Sequence, residues 1–138
     1  MYAGDWINDA EFRQSQEGWN TGIVSELRVI FGLLDEKAVA KKCDAMEGIT
    51  KEGESIIEDT EEGTSTRDVG LILAAQKVEH YEISTYGGLA QLAQTLGLDE
   101  VSGILSQTLT EEKEADSALT GIAENSINYD AAEESADK

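Results

Sequence analysis

The sequence predicts an all-α protein, built as a bundle of long antiparallel helices. Three observations support this fold class: the 138 residues include no proline, only 6% are aromatic, and apolar residues recur at alternating intervals of three and four. Proline interrupts helices, aromatic residues are enriched in sheets, and the three-and-four spacing places apolar side chains on one helix face. A chain of this length forms one domain with a single core.

Four helices are predicted within that domain, which spans residues 11–126. After an irregular lead-in, residues 1–10, apolar spacing predicts helices at about 11–34, 38–60, 66–96 and 100–126, and we expect the polar tail, 127–138, to be frayed. Gly97 separates the last two helices, and glycine ends helices because it readily adopts the left-handed conformation. These two helices are therefore expected to form an antiparallel hairpin.

Each arm of this hairpin carries a glutamate in the middle of its apolar row. The rows comprise Leu71, Ala75, Val78, Glu82, Thr85, Leu89, Leu92 and Leu96 in the first arm and Val101, Leu105, Thr108, Glu112, Ala115, Leu119 and Ile122 in the second. Glu82 lies fifteen residues before Gly97 and Glu112 fifteen residues after it, so their carboxylates are expected to face each other. One turn further from the bend, Glu79 and Asp116 are expected to form a second acidic pair.

Two layers of carboxylates inside a bundle predict a metal site. Buried without a cation, these side chains would repel one another and lose their hydration. Carboxylate oxygens suit iron(II), manganese or magnesium better than copper. Two simpler interpretations remain open at this stage: the bundle is hydrated at this level, or Lys77 and Lys113 neutralise the acidic pair.

The charge balance narrows the choice of partners. Ten lysines and arginines against 29 acidic residues give a formal charge of −19, which argues against binding to nucleic acid or to an anionic membrane, since both need a basic surface. No apolar stretch reaches the roughly 18 residues of a membrane span, and the start of the chain does not resemble a secretion signal. The acidic residues are spread along the whole chain, which favours a salt-rich cytoplasm, where ions screen their repulsion.

The sequence contains one cysteine and one histidine. Cys43 has no partner for an internal disulfide, which fits a reducing compartment, and its place on an apolar row predicts an inert core thiol. His80 is offset from the inward face of its helix, so a surface or supporting role is expected rather than direct metal ligation.

Three segments resemble a known family: KKCDAMEGITKEGESIIEDT at 41–60, LILAAQKVEHYEISTYGGLAQLAQTLG at 71–97 and LSQTLTEEKEADSALTGIA at 105–123. They are similar to the YciE/YciF-type ferritin-like stress proteins. The resemblance implies a ferritin-like bundle in which residues 38–60 form an additional crossover helix. Such bundles hold two metal ions between inward carboxylates and histidines, and the matching positions here are Glu79, Glu82, Glu112 and Asp116.

The resemblance also shows departures. By this resemblance we expect the family's first helix to have no counterpart in these residues, Glu17 to correspond to one ligand of the next helix, and Asn20 to stand where its partner would be. A bundle without that helix would expose apolar surface unless a second copy covered it, which implies a homodimer. We therefore expect a cytoplasmic stress-associated protein that binds iron or manganese, with oxygen or peroxide chemistry if two irons bind. The alternative is a non-catalytic, dimeric helical stress protein with a degenerate metal site.

Overall fold

The computed structural model describes residues 22–136, and within that range it contains helices and no strand. The all-α prediction is therefore confirmed. The helices are α1 at 22–33, α2 at Asp44–Asp59, α3 at Ser65–Thr95, α4 at Asp99–Ile122, a π-helical turn at Ala123–Ile127, and α5 at Asn128–Ala136. The predicted lead-in, residues 1–10, and the first half of the predicted helix at 11–34 lie outside the described residues.

The α3–α4 hairpin forms as predicted and bends at Gly97. Gly97 has φ +72°, a conformation that glycine adopts without the steric cost a Cβ would add. The Gly97 amide donates to the Gln94 carbonyl at 3.0 Å and the Leu98 amide donates to the Ala93 carbonyl at 2.9 Å. This pattern is a Schellman motif, which satisfies carbonyls at the end of α3 and sets the two arms side by side.

The predicted inward face of α4 is confirmed. The predicted inward face of α3 is partly wrong. On α4, Val101, Leu105, Thr108, Glu112 and Ala115 are all buried. On α3, the second half of the predicted row points to solvent, with exposed fractions of 43%, 60% and 73% for Leu89, Leu92 and Leu96.

A neighbouring row on α3 takes the place of those leucines. Tyr86, Ala90 and Ala93 form the core with Ile30 of α1 and with residues of α4. Their spacing of four and three equals that of the predicted row, so periodicity does not distinguish the two. Small alanine side chains allow α3 to approach α4 and α1 closely, and the larger leucines remain outside.

Helix α2 begins later than predicted, at Asp44 rather than near residue 38, and Cys43 is its N-cap. The prediction of a core thiol is wrong, because Cys43 is exposed. Its Sγ accepts a hydrogen bond from the Met46 amide at 3.4 Å and lies 3.1 Å from the Tyr81 hydroxyl. The far end of α2 is tied to α3 by buried Arg67, which donates to the Ile57 carbonyl at 2.8 Å and to Thr60 Oγ1 at 3.0 Å.

Residues 127–136, predicted as a frayed tail, are helical instead. Residues 128–136 form α5, and Glu134 caps the start of α3. Its carboxylate accepts hydrogen bonds from the backbone amides of Ser65 at 2.8 Å and Thr66 at 3.0 Å. An acidic group at a helix N-terminus also interacts favourably with the helix dipole, so α5 is held against the start of α3. None of the helices among residues 22–136 is long and apolar enough to span a bilayer.

Candidate metal centre

Three glutamates meet where α3 and α4 pack against each other, midway along the hairpin. One carboxylate oxygen from each of Glu79, Glu82 and Glu112 lies within 4.8 Å of the corresponding oxygens of the other two. Glu79 and Glu82 are one turn apart on α3, and Glu112 reaches them from α4. The bend at Gly97 therefore brings Glu82 and Glu112 to the same height.

The burial of this cluster is unusual for acidic side chains. Glu112 is 1% exposed and Glu79 is 4% exposed, and Glu82 is half-buried. The Oε2 atoms of Glu79 and Glu112 are buried without a hydrogen-bond partner among the residues that the structure describes. Such atoms are costly to bury, so this cluster lacks partners that buried carboxyl oxygens usually have.

The three carboxyls of the cluster all have raised pKa values, and burial is the largest cause for each. Burial, followed by the charge of Glu112, raises the pKa of Glu82 to about 7. Burial and the hydrogen bond with Glu79 raise the pKa of Glu112 to about 8. Burial also raises the pKa of Glu79. All three pKa values therefore shift in the direction that favours the protonated carboxyl.

Asp116, the fourth predicted ligand, faces another set of partners. Its Oδ1 accepts from Gln76 Nε2 at 3.3 Å and lies 3.1 Å from His80 Nε2, and Gln76 also donates to Thr120 Oγ1 at 2.8 Å. The structure thus brings together three of the four predicted ligands. The negative charge of Asp116 still contributes to raising the pKa of Glu79, so Asp116 lies close to the cluster without joining it.

The structure does not support neutralisation of the cluster by Lys77 or Lys113. Lys77 pairs with Glu52 of α2 at the surface, and Lys113 is exposed. His80 is also exposed and lies 3.1 Å from Asp116 Oδ1, which agrees with the surface position expected from its offset on the helix. Of the other predicted partners, Glu17 and Asn20 lie outside the described residues.

A fourth inward carboxylate was missed by the sequence reasoning. Glu26 of α1 accepts a hydrogen bond from Thr108, one turn before Glu112 on α4. The pKa of Tyr86 is raised to about 12, mainly by burial and then by the charges of Glu82 and Glu112. The charge of Glu26 makes a further, smaller contribution. The sequence did contain a signal for Glu26. Between Ile23 and Ile30, either Glu26 or Leu27 completes the three-and-four spacing of one helix face.

Comparison with known proteins adds a family and a structural relative. A protein family described as "Domain of unknown function (DUF892)" matches residues 9–132. The chain is 52% identical over 87 residues to Protein YciF of Escherichia coli (strain K12), an alignment that covers 63% of this chain and 52% of the relative. The chain therefore spans about half the length of this curated relative.

A solved structure extends the match to most of the fold. It is titled as the crystal structure of the E. coli stress protein YciF, and it superposes with a TM-score of 0.78 at 36% identity, covering 91% of this chain and 80% of that one. The helical architecture is accordingly the ferritin-like one that the sequence resemblance implied.

Proposed function

Because this chain belongs to the DUF892 family, and to its stress-associated, ferritin-like YciF type, we propose that it binds iron or manganese through Glu79, Glu82 and Glu112. The observation that supports this most directly is that Glu79 and Glu112 each bury a carboxylate oxygen with no hydrogen-bond partner in the part of the chain that the structure describes. Oxygen ligands alone suit hard and borderline divalent ions, and three such side chains leave coordination positions for water or a substrate.

The charge of the cluster also suits a divalent ion. Three carboxylates that share two protons carry one net negative charge, and three ionised carboxylates around a divalent ion carry the same charge. An ion can therefore replace the protons of Glu82 and Glu112 without changing the net charge that the bundle buries. Metal binding releases protons from its ligands, so affinity should rise as the pH passes through the raised pKa values of these two groups.

The proposed roles of the residues follow from their positions. Glu79 and Glu112 would supply the buried oxygens, Glu82 would close the site from its half-buried position, and Asp116 would hold His80 and Gln76 beside it. A dinuclear centre of the ferritin-like kind would require further ligands, and Glu26, which bonds to Thr108 one turn before Glu112, is a candidate for one of them. Bound iron or manganese would supply redox chemistry toward oxygen or peroxide. We further propose that the protein is a homodimer in a salt-rich cytoplasm, where its acidic surface is screened.

The metal proposal is tested by elemental analysis after equilibration with manganese(II) or, without oxygen, iron(II). The parent chain should retain about one to two ions, and a Glu82→Gln, Glu112→Gln double variant should retain none. Glu114→Gln removes the same kind of charge from the exposed side of α4 and should bind like the parent. Failure of the parent to bind either ion would refute the proposal and favour a protein whose acidic cluster is a degenerate site.

A further inference from the structure

A cavity of about 460 Å³ lies between the beginning of α1 and the second half of α4. Three of the residues that line it, Gly22, Ala115 and Ala118, have side chains no larger than a methyl group. A Cβ built on Gly22 would meet no atom within 4 Å among the described residues. Small residues on both helices therefore account for this space, which we call the α1–α4 cavity.

The inner end of the α1–α4 cavity reaches the acidic cluster. Glu112 lines the cavity and is only 1% exposed, and its Oε2 has no hydrogen-bond partner in the described part of the chain. Ala118, further along the same wall, is exposed. The cavity thus connects an exposed position of α4 with a buried carboxyl of the proposed metal site.

The polar side chains that line the cavity, among residues 22–136, are all glutamates. Glu111 and Glu114 lie on its wall together with Glu112, and both are exposed. Ionised carboxylates accept hydrogen bonds and donate none, so this lining offers nothing to an anion. A cleft lined by charges of one sign also raises the local concentration of the opposite ion. The lining therefore suits a cation that carries its own hydrogen-bond donors as bound water.

We propose that the α1–α4 cavity is the route by which a hydrated divalent ion reaches the acidic cluster. This inference rests on the metal binding proposed above. An ion that keeps about six waters of about 30 Å³ each occupies about 180 Å³, so the cavity has room for the ion with its hydration shell. At the inner end, the Glu112 oxygen that lacks a partner can replace one of these waters. The ion content at equilibrium depends on the cluster, so a change in the outer part of the cavity, such as Glu114→Gln, affects the rate of uptake and not the content.

The test follows the rate at which the full chain takes up manganese(II), measured by rapid mixing with a fluorescent indicator of the free ion. Ala118→Lys places a positive charge on the wall of the cavity. A unit charge about 7 Å from a divalent ion in water changes the local ion concentration by about sevenfold, so uptake should slow by about five- to tenfold at low ionic strength. Ala118→Glu should not slow uptake, and the two variants should converge in about 0.5 M salt, where charges are screened.

A bulky side chain tests the route without a change in charge. Ala118→Trp narrows the cavity and should slow both the uptake of manganese(II) and its release into excess chelator by the same factor, so that the ion content at equilibrium is unchanged. Ser117 provides matched controls, because it is the exposed neighbour of Ala118 and does not line the cavity. Ser117→Trp should match the parent, and Ser117→Lys should slow uptake less than Ala118→Lys does.

The outcomes separate this inference from the metal proposal. A parent chain that takes up no manganese(II) would overturn both. Normal ion content with unchanged rates in Ala118→Lys and Ala118→Trp would overturn only the route, and would mean that ions enter beside half-buried Glu82. An Ala118 variant that loses ions at equilibrium, while its far-UV circular dichroism matches the parent, would also overturn the route, since the cavity would then be part of the binding site itself.

Discussion

Replacing Glu112 by glutamine should make the metal-free protein more stable at alkaline pH and leave it nearly unchanged at acidic pH. Glu112 is the most buried of the acidic residues described, and its pKa is raised to about 8 from 4.5. A carboxyl with a raised pKa in the folded state stabilises the fold fully below its unfolded-state pKa, and this stability is lost as the pH rises through the folded pKa. The stabilisation by the protonated Glu112 should therefore be lost between about pH 4.5 and about pH 8.

The size of the effect follows from the same two values. Each tenfold change in the proton-binding constant corresponds to about 1.4 kcal/mol, so the free energy of unfolding of the parent should fall by on the order of 4 kcal/mol across the window because of Glu112. Glutamine has nearly the same shape and no charge to bury. The Glu112→Gln variant lacks this dependence of stability on pH. It also removes the charge of Glu112, which is the largest cause besides burial of the raised pKa of Glu82.

The assay is urea unfolding followed by circular dichroism, with a chelator present, at several pH values from about 4.5 to about 8.5. Glu114→Gln is the matched control, since it makes the same chemical change at an exposed position of α4. The free-energy difference between Glu112→Gln and the parent should grow with pH, and that of the control should stay within about 0.5 kcal/mol of zero. A flat difference for Glu112→Gln would refute the burial of a protonated carboxyl at this position.

Two further predictions concern the packing of α2 on α3. Arg67→Ala leaves carbonyls at the end of α2 without a donor and should lower the free energy of unfolding by about 2 to 3 kcal/mol, whereas Arg28→Ala, at an exposed position, should change it by less than about 0.5 kcal/mol. Gly70→Ala places a Cβ 2.6 Å from Ile56 Cγ2 and should destabilise by about 1 to 2 kcal/mol, whereas Gly48→Ala, in the open, should stabilise α2 by about 0.5 to 1 kcal/mol. Urea unfolding measures all four, and equal effects within either pair would contradict the packing described.

The hairpin and its acidic cluster were predictable because local rules determine them. A glycine between two helical patterns ends the first helix, and equal sequence distances from Gly97 place Glu82 and Glu112 opposite each other. The orientation of Asp116 was not predictable in this way. A side chain at the edge of an inward face has two sets of neighbours, and here the amide of Gln76 and the ring of His80 provide hydrogen bonds on the outer side.

Errors in the prediction arose where two patterns were equally periodic. The leucine row and the alanine row of α3 both repeat at three and four, and the choice between them depends on how closely α3 approaches its neighbours. Cys43 illustrates a different cause. Its thiol accepts from the backbone of Met46, and this local hydrogen bond ends the extended segment and starts α2, which apolar spacing alone does not reveal. The capping of α3 by Glu134 joins positions 69 residues apart, beyond the reach of any local rule.

Under the proposed function, the cluster would exchange protons for a divalent ion. Without an ion, the raised pKa values of Glu82 and Glu112 favour their protonated forms, and two buried oxygens have no hydrogen-bond partner among residues 22–136. These features reduce stability at neutral pH, and a core of leucines would avoid them. An ion that binds the ionised carboxylates provides partners for the free oxygens and stabilises the folded chain in proportion to its occupancy. The stability lost between acidic and neutral pH should therefore be recovered on adding manganese or iron to the parent chain, and should not be recovered in the glutamine variants.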